Sequence, residues 1–320
     1  MATELGKLVY KRVNSFCKNN GYFDALEKSL KISEGERFDK KDLKFGLDIL
    51  DAVHCVADKN RSLSFIGEIM DNVRPGDRVI EAGSGTGLLS FVAAACGADV
   101  IGLEINPKIA DLSRKIQKYL SNFNDIDAGG LNFVEANAIK YIPDQKVDAV
   151  ISENIYTGMF YEKQVQIMNH LVKYLKNRGV VVPLGLKMGV IAVNAGIPKS
   201  AESGDLFVPD QLGGKLKVHE LSQSAVYSEL NFTELNSEFA DKTVDLKVLK
   251  DGEANSVLIW TEVIFCNNIL GRKDTTFLNS DIVIALPDPV VLKKGQTARL
   301  KIKYKFGSKP KDAKFIFMDH

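Results

Sequence analysis

The sequence predicts an α/β chain: a doubly wound, mostly parallel sheet with an N-terminal helical segment before it and a C-terminal antiparallel β domain, barrel or sandwich, after it. Three observations carry this. Residues 1–73 space their apolar side chains at helical intervals, residues 74–183 alternate short apolar strands with helices, and residues 184–320 alternate apolar and polar residues between Gly, Asn, Asp and Pro.

Taken in order, "LGKLVYKRVNSF" sets Leu5, Val9, Val13 and Phe16 on one helical face, and "FDALEKSLKI" repeats the pattern. "RFDKKDLKFGLDILDAVHCVADKN" continues it with Phe45, Ile49 and Val53, and the turn "RPGD" at 74–77 closes the segment. Beyond it, "RVIEAG", "ADVIGLE", "LNFVEA" and "VDAVIS" read as strands, and "LLSFVAAAC" as a buried helix. "NPKIADLSRKIQKYL" opens with Asn106 as N-cap and Pro107 in the first helical position. "KQVQIMNHLVKYLKNRG" aligns Val165, Met168, Leu171 and Leu175, which predicts a helix ending before Gly179. Strands follow in "GVIAVNA", "TVDLKVL", "SVLIWTEVIF", "DIVIAL" and "TARLKIKYKF".

The bulk numbers exclude several classes. Against 41 acidic residues stand 42 Lys+Arg, a net charge of +1, so nothing global points to nucleic acid or an anionic membrane. Arg299, Lys301, Lys303 and Lys305 share a strand face, which reads as a solvated or edge-protecting surface. The N-terminus is broken by charges every few residues, unlike a signal peptide or membrane span. Cys17, Cys55, Cys96 and Cys266 are scattered, and His54 and His170 have no partner at ligand spacing, so no metal site and no disulfide framework is expected. A reducing, cytoplasmic setting is the expectation.

Two stretches carry chemistry. "VIEAGSGTGLLS" places Gly83, Gly85 and Gly87 in the turn after the first strand, where a doubly wound sheet binds cofactors. Leu88 stands where a dinucleotide fingerprint would need Gly or Ala, so the pattern is GxGxG; Glu104 ends the second strand, where it can accept both hydroxyls of a ribose. In "VDAVISENIYTGMFYEKQ", Glu153 and Glu162 lie nine positions apart on an aromatic loop past a buried strand. Burying two carboxylates there calls for a cation, and a guanidinium matches them bidentately.

The strand, glycine turn, helix, strand and terminal acid resemble motif I and its following acid in class I S-adenosylmethionine-dependent methyltransferases. "SENIYTGMFYE" resembles the double-glutamate loop of the protein arginine methyltransferases. The resemblance implies the class I methyltransferase fold, S-adenosylmethionine as cofactor and an arginine-containing protein or peptide as acceptor. Glu81, Gly83, Ser84, Gly85 and Gly87 would then hold the methionine half of the cofactor, Glu104 the ribose, and Asn137 and Ala138 the adenine. Arg61 would pair the cofactor's carboxylate, and Glu153 and Glu162 would be the catalytic pair, Glu153 also bordering the cofactor. Three departures stand beside this. Ile259, before Trp260 in "LIWTEVIF", takes the place assigned to a histidine of a loop near the acceptor. Residues 184–259 are too short for the family's dimerisation arm, so the implied homodimer lacks its usual element, and residues 40–60 show no tyrosine-rich lid helix. The alternatives are a methyltransferase acting on a small molecule, amine or RNA, and a catalytically silent cofactor-binding relative that regulates a partner.

Overall fold

The computed structural model describes residues 3–33, 48–124, 126, 130–209, 216–272, 274–275 and 280–318. Four helices lead: α1 Glu4–Asn19, α2 Tyr22–Ser33, α3 Ile49–Ala57 and α4 Lys59–Asn72. Val9, Val13 and Phe16 of α1 are buried, as their spacing predicts, whereas Phe45 lies outside the described residues. Asp48 caps α3 by accepting from the Leu50 and Asp51 amides, and Asp58 caps α4 by accepting from Arg61 N at 3.2 Å.

The sheet is built from β1 Arg78–Ala82, α5 Leu88–Ala95, β2 Asp99–Glu104, α6 Pro107–Leu120, β3 Leu131–Glu135, β4 Val147–Ser152, α7 Gln164–Leu171 and β5 Leu175–Val182. Its strands are parallel in the order β3-β2-β1-β4-β5. The chain winds outward in one direction from β1 to β3 and then crosses back to β4, so the switch point falls between β1 and β4. Asn106 and Pro107 start α6 as predicted, with the Asn106 side chain accepting from Lys108 N.

One element differs from its prediction. The helix predicted across 163–178 stops at Leu171; a 3₁₀ turn covers Val172–Tyr174, and Leu175 already pairs with Val147 of β4. Leu171 and Leu175 are spaced as on a helix, but Leu175 belongs to a bulged edge strand in which Arg178 takes φ 66°.

The second half contains β6 Gly185–Ala195, β7 Leu206–Phe207, β8 Val218–Glu220, β9 Ala225–Asn231, β10 Phe239–Lys247, β11 Gly252–Ile264, β12 Ile269–Leu270, β13 Ile282–Leu292, β14 Thr297–Lys305 and β15 Lys314–Met318. One antiparallel sheet runs β7-β13-β11-β6-β8, with β9 also on β6 and β12 on β11; another runs β10-β14-β15. The basic face of β14 is matched across the ladder: Asp241 meets Lys301 and Lys303, and Glu238 meets Lys305 at 3.3 Å. Among the described residues, no helix is long and apolar enough to cross a membrane, and no cluster has metal-ligand composition. All four cysteines are free thiols.

The main core runs from Val9 and Ile80 through Phe160 to Phe306, so helices, parallel sheet and β domain share one apolar interior. Trp260 belongs to a second, smaller cluster with Ile191 and Val283, and its indole N–H donates to Ser224 Oγ at 2.8 Å.

Candidate active site

A cavity of about 400 Å³ opens where the C-terminal ends of β1, β2 and β4 meet. Every residue assigned a site role from the sequence lines it except Gly87: Arg61, Glu81, Gly83, Ser84, Gly85, Glu104, Asn137, Ala138, Glu153 and Glu162. Gly87 stands just behind, at the start of α5, with φ +81°; a Cβ there would meet the Phe133 ring at 2.6 Å.

The glycine loop is a close backbone cradle. Gly83 has φ +73°, and a Cβ on it would lie 2.4 Å from Asn154 Oδ1, so only glycine lets the two strand ends approach. Gly85 N–H donates to Glu104 Oε2 at 3.1 Å and Asn106 N–H to Glu104 Oε1 at 2.9 Å. Burial raises the Glu104 pKa against the pull of these amides. Each carboxylate oxygen thus has one backbone donor and keeps lone-pair capacity for a ligand hydroxyl. Ser84 Oγ, buried on the cavity wall, has no hydrogen-bond partner among the described residues. Glu81 is turned to α5, where Ser90 donates to its carboxyl, and burial pushes its pKa up to about 8. Asn137 closes a local turn, its side chain accepting from Ile139 N at 3.0 Å, while also facing the cavity.

On the opposite wall, Glu153 follows β4 and is paired with Arg61 of α4: Arg61 Nε donates to Glu153 Oε1 at 3.1 Å, and Nη2 faces Oε2. The two side chains are 5% and 10% exposed, a nearly buried ion pair that also borders the cavity. Arg61 Nη1 donates to the Cys55 carbonyl at 3.3 Å. Glu162 reaches the same cavity from two residues before α7; Lys163 is the N-cap, and the first turn of α7 contains no acid. Tyr156 and Tyr161 meet edge to face at 5.4 Å between the two glutamates.

The loop joining the glutamates is held from the β domain. Met159 and Tyr161 take φ 57° and 62°, left-handed values that cost a non-glycine residue roughly 1–2 kcal/mol each. Hydrogen bonds fix this shape: Thr157 Oγ1 to the Ser280 carbonyl at 2.6 Å, Gly158 N to Thr261 Oγ1 at 2.8 Å, and Tyr304 OH to the Gly158 carbonyl at 2.7 Å. Gly307 N donates to the Met159 carbonyl at 2.7 Å, and Tyr161 N to the Ser308 carbonyl at 3.0 Å. Phe160 stacks on Tyr304 with centroids 4.7 Å apart.

Sequence reasoning missed Gln164 and Asn154. Gln164, fully buried on α7, accepts from Ser152 Oγ at 2.8 Å and Asn154 N at 3.0 Å, and donates to the Ser152 carbonyl at 2.8 Å. It grips both neighbours of Glu153. The signal was an amide beside the buried Val165 and Met168, which had to find partners. The placing of Ile259 beside the acceptor is corrected: Ile259 is buried in β11 against Gly158 and lines no part of the cavity. Trp260 alternates to the far face of that strand, because successive strand residues point to opposite sides. Instead Thr275, on the segment before β13, reaches the α4 cap, donating to Asp58 Oδ2 at 2.5 Å.

Comparison with known proteins agrees with this geometry. Residues 74–185 match a family described as Methyltransferase domain. An uncharacterised protein of Methanocaldococcus jannaschii is 26% identical over 77% of this chain and 88% of its own. The arginine N(omega)-methyltransferase of Streptomyces achromogenes subsp. streptozoticus is 23% identical over 77% of this chain and 73% of its own. Among solved structures, the Trypanosoma brucei protein arginine methyltransferase 1 enzyme-prozyme complex with S-adenosylhomocysteine superposes with a TM-score of 0.60 at 17% identity, covering 78% of this chain and 86% of that one. The cradle, the buried Ser84 hydroxyl and the Glu104 carboxylate fit S-adenosylmethionine as the cofactor, and residues 74–185 are similar to methyltransferase domains, with likeness to the arginine methyltransferases extending over most of the chain.

Proposed function

We propose that the chain methylates an arginine guanidinium. The observation that carries this reading is the convergence of Glu153 and Glu162 on the cavity that Glu104 and the glycine loop also line. When bound, S-adenosylmethionine supplies an electrophilic methyl whose bond to sulfur breaks with the electron pair staying on sulfur. The carboxylates supply the rest. An arginine has a pKa near ~13.8 and cannot simply be deprotonated. Two carboxylates orient the guanidinium and draw its charge toward the nitrogens they bind, leaving the third a better nucleophile. That nitrogen forms the new N–CH₃ bond and sheds one proton, for which the same carboxylates are the bases the chain offers. Arg61, seated on Glu153, fixes that carboxylate in direction.

The guanidinium can belong to a protein or peptide, as in the solved arginine methyltransferases, or to free arginine. Both carriers have support among the relatives: the Streptomyces protein is named arginine N(omega)-methyltransferase, and others are named protein arginine N-methyltransferases. Mass spectrometry of free arginine and arginine peptides, each incubated with the protein and S-adenosylmethionine, tests the reading. The expected result is one added methyl on a guanidino nitrogen. Transfer only to an amine, a carboxylate or an RNA base would overturn it.

A further inference from the structure

A second space borders the active-site cavity. A groove of about 460 Å³ lies between α7 and the end of β14, and it shares Ile139 and Lys163 with the first cavity. The two spaces therefore adjoin at Lys163, the residue after Glu162. Lys163, Lys173 and Lys305 line the groove with Glu238, Gln166 and Ser308.

We propose that this groove holds the α-amino acid head of the acceptor, making the acceptor a free guanidino amino acid of the arginine type; this rests on the guanidinium reading above. Lysines at a surface are usually just solvated. Here two further observations separate the groove from a solvated rim. Gln166 donates through Nε2 to the Phe306 carbonyl at 2.7 Å, but its Oε1 is buried with no partner among the described residues. Ser308 Oγ, across the groove, is buried and unpartnered as well. Buried polar atoms are almost always satisfied, so these two positions suit a group with both a donor and an acceptor.

The charges say which donor and which acceptor. Lys305 is offset by Glu238 at 3.3 Å, whereas no ion pair among the described residues engages Lys163 or Lys173. That positive surplus suits a carboxylate, which Ser308 O–H can also donate to. Gln166 Oε1 suits an ammonium. An α-amino acid carries both groups on one carbon. Its Cα lies roughly 6 Å from the guanidinium carbon in an extended arginine, from five bonds of about 1.5 Å. A peptide would bring neutral amides to the same place and forgo the attraction of both exposed lysines.

The test uses L-arginine, agmatine, which lacks the carboxylate, Nα-acetyl-L-arginine, which lacks the ammonium, and an arginine peptide. Initial methylation rates and calorimetric binding with S-adenosylhomocysteine present are read on the wild-type chain, on Lys163→Gln/Lys173→Gln and on Ser308→Ala. The wild type is expected to prefer L-arginine over agmatine and over the acetylated compound by about 10-fold or more in kcat/KM, the scale of one charge-assisted hydrogen bond. The variants are expected to narrow the ratio of L-arginine to agmatine. Equal use of L-arginine and agmatine, a ratio unmoved in both variants, or a preference for the peptide overturns the groove while leaving the guanidinium reading in place. Methyl transfer to none of the four, with L-arginine still bound more tightly than agmatine, overturns the guanidinium reading and supports the groove.

Discussion

Most of the cavity wall assigned to the cofactor, apart from Arg61, Asn137, Ala138 and Glu153, comes from one stretch of chain, residues 78–104, where a strand, a glycine turn and the next strand's terminal acid are neighbours in sequence and in the sheet. The acceptor wall is assembled differently. Its glutamates flank a loop whose left-handed residues are fixed by Thr261, Ser280, Tyr304, Gly307 and Ser308, all from the β domain. A local wall depends on its own turn chemistry; a clamped wall depends on packing between the two halves of the molecule. Perturbations should therefore separate by wall.

The largest combined effect is expected from Glu153→Gln. Turnover should fall by on the order of 10², the scale for losing an electrostatic stabiliser. Stability should fall too, by up to about 3 kcal/mol, because Arg61 would be left buried without its counter-charge. Thermal unfolding monitored beside methyl transfer would show both; an unchanged melting temperature would mean that the ion pair matters little to the fold.

Glu104→Ala acts on the other wall. It should weaken S-adenosylhomocysteine binding by roughly 1.5–3 kcal/mol, for charge-assisted hydrogen bonds lost, and calorimetry reads this directly. Undiminished affinity would place the ribose elsewhere.

How much of this was legible follows the same division. Gly83, Gly85 and Glu104 could be read from the chain because a φ above zero and a strand-end carboxylate are local requirements. Glu153 and Glu162 were legible as an unusual pair of acids on an aromatic loop. Tyr304 was not, since nothing in "TARLKIKYKF" marks one tyrosine of a strand as the donor to Gly158, about 146 positions earlier. Gln164 was hidden inside an amphipathic pattern, and Ile259 was misplaced because its Trp neighbour resembled that of the family's acceptor loop, although the stretch reads as a strand and is one. The helix predicted past Leu171 failed for a related reason: i, i+4 spacing of leucines is satisfied equally by a short helix running into an edge strand.

Tyr304→Phe should sharpen the comparison with a smaller effect. It removes the hydrogen bond to the Gly158 carbonyl and the 2.7 Å contact with Tyr227 OH, worth about 1 kcal/mol each. Turnover is expected to fall several-fold while S-adenosylhomocysteine affinity holds. A parallel loss of affinity would mean that the β domain shapes both walls.

The smallest effect concerns pH. Between the ordinary 4.5 and about 8, folded Glu81 keeps a proton that the unfolded chain has released, so stability falls as pH rises through that window. Glu81→Gln keeps a partner for Ser90 and should flatten this slope, as seen in denaturant midpoints measured across the window. A slope unchanged in the variant would assign it to other groups.

Glu162→Gln, measured for methyl transfer to an arginine guanidinium and for S-adenosylhomocysteine affinity on the same preparation, tests the account most directly. Glu162 lines the cavity but has no place in the cofactor wall, and glutamine keeps its size while removing its charge. The predicted result is a fall in turnover on the order of 10² at nearly constant cofactor affinity. Turnover equal to the wild type, or a loss confined to cofactor affinity, would contradict a guanidinium held between two loop carboxylates.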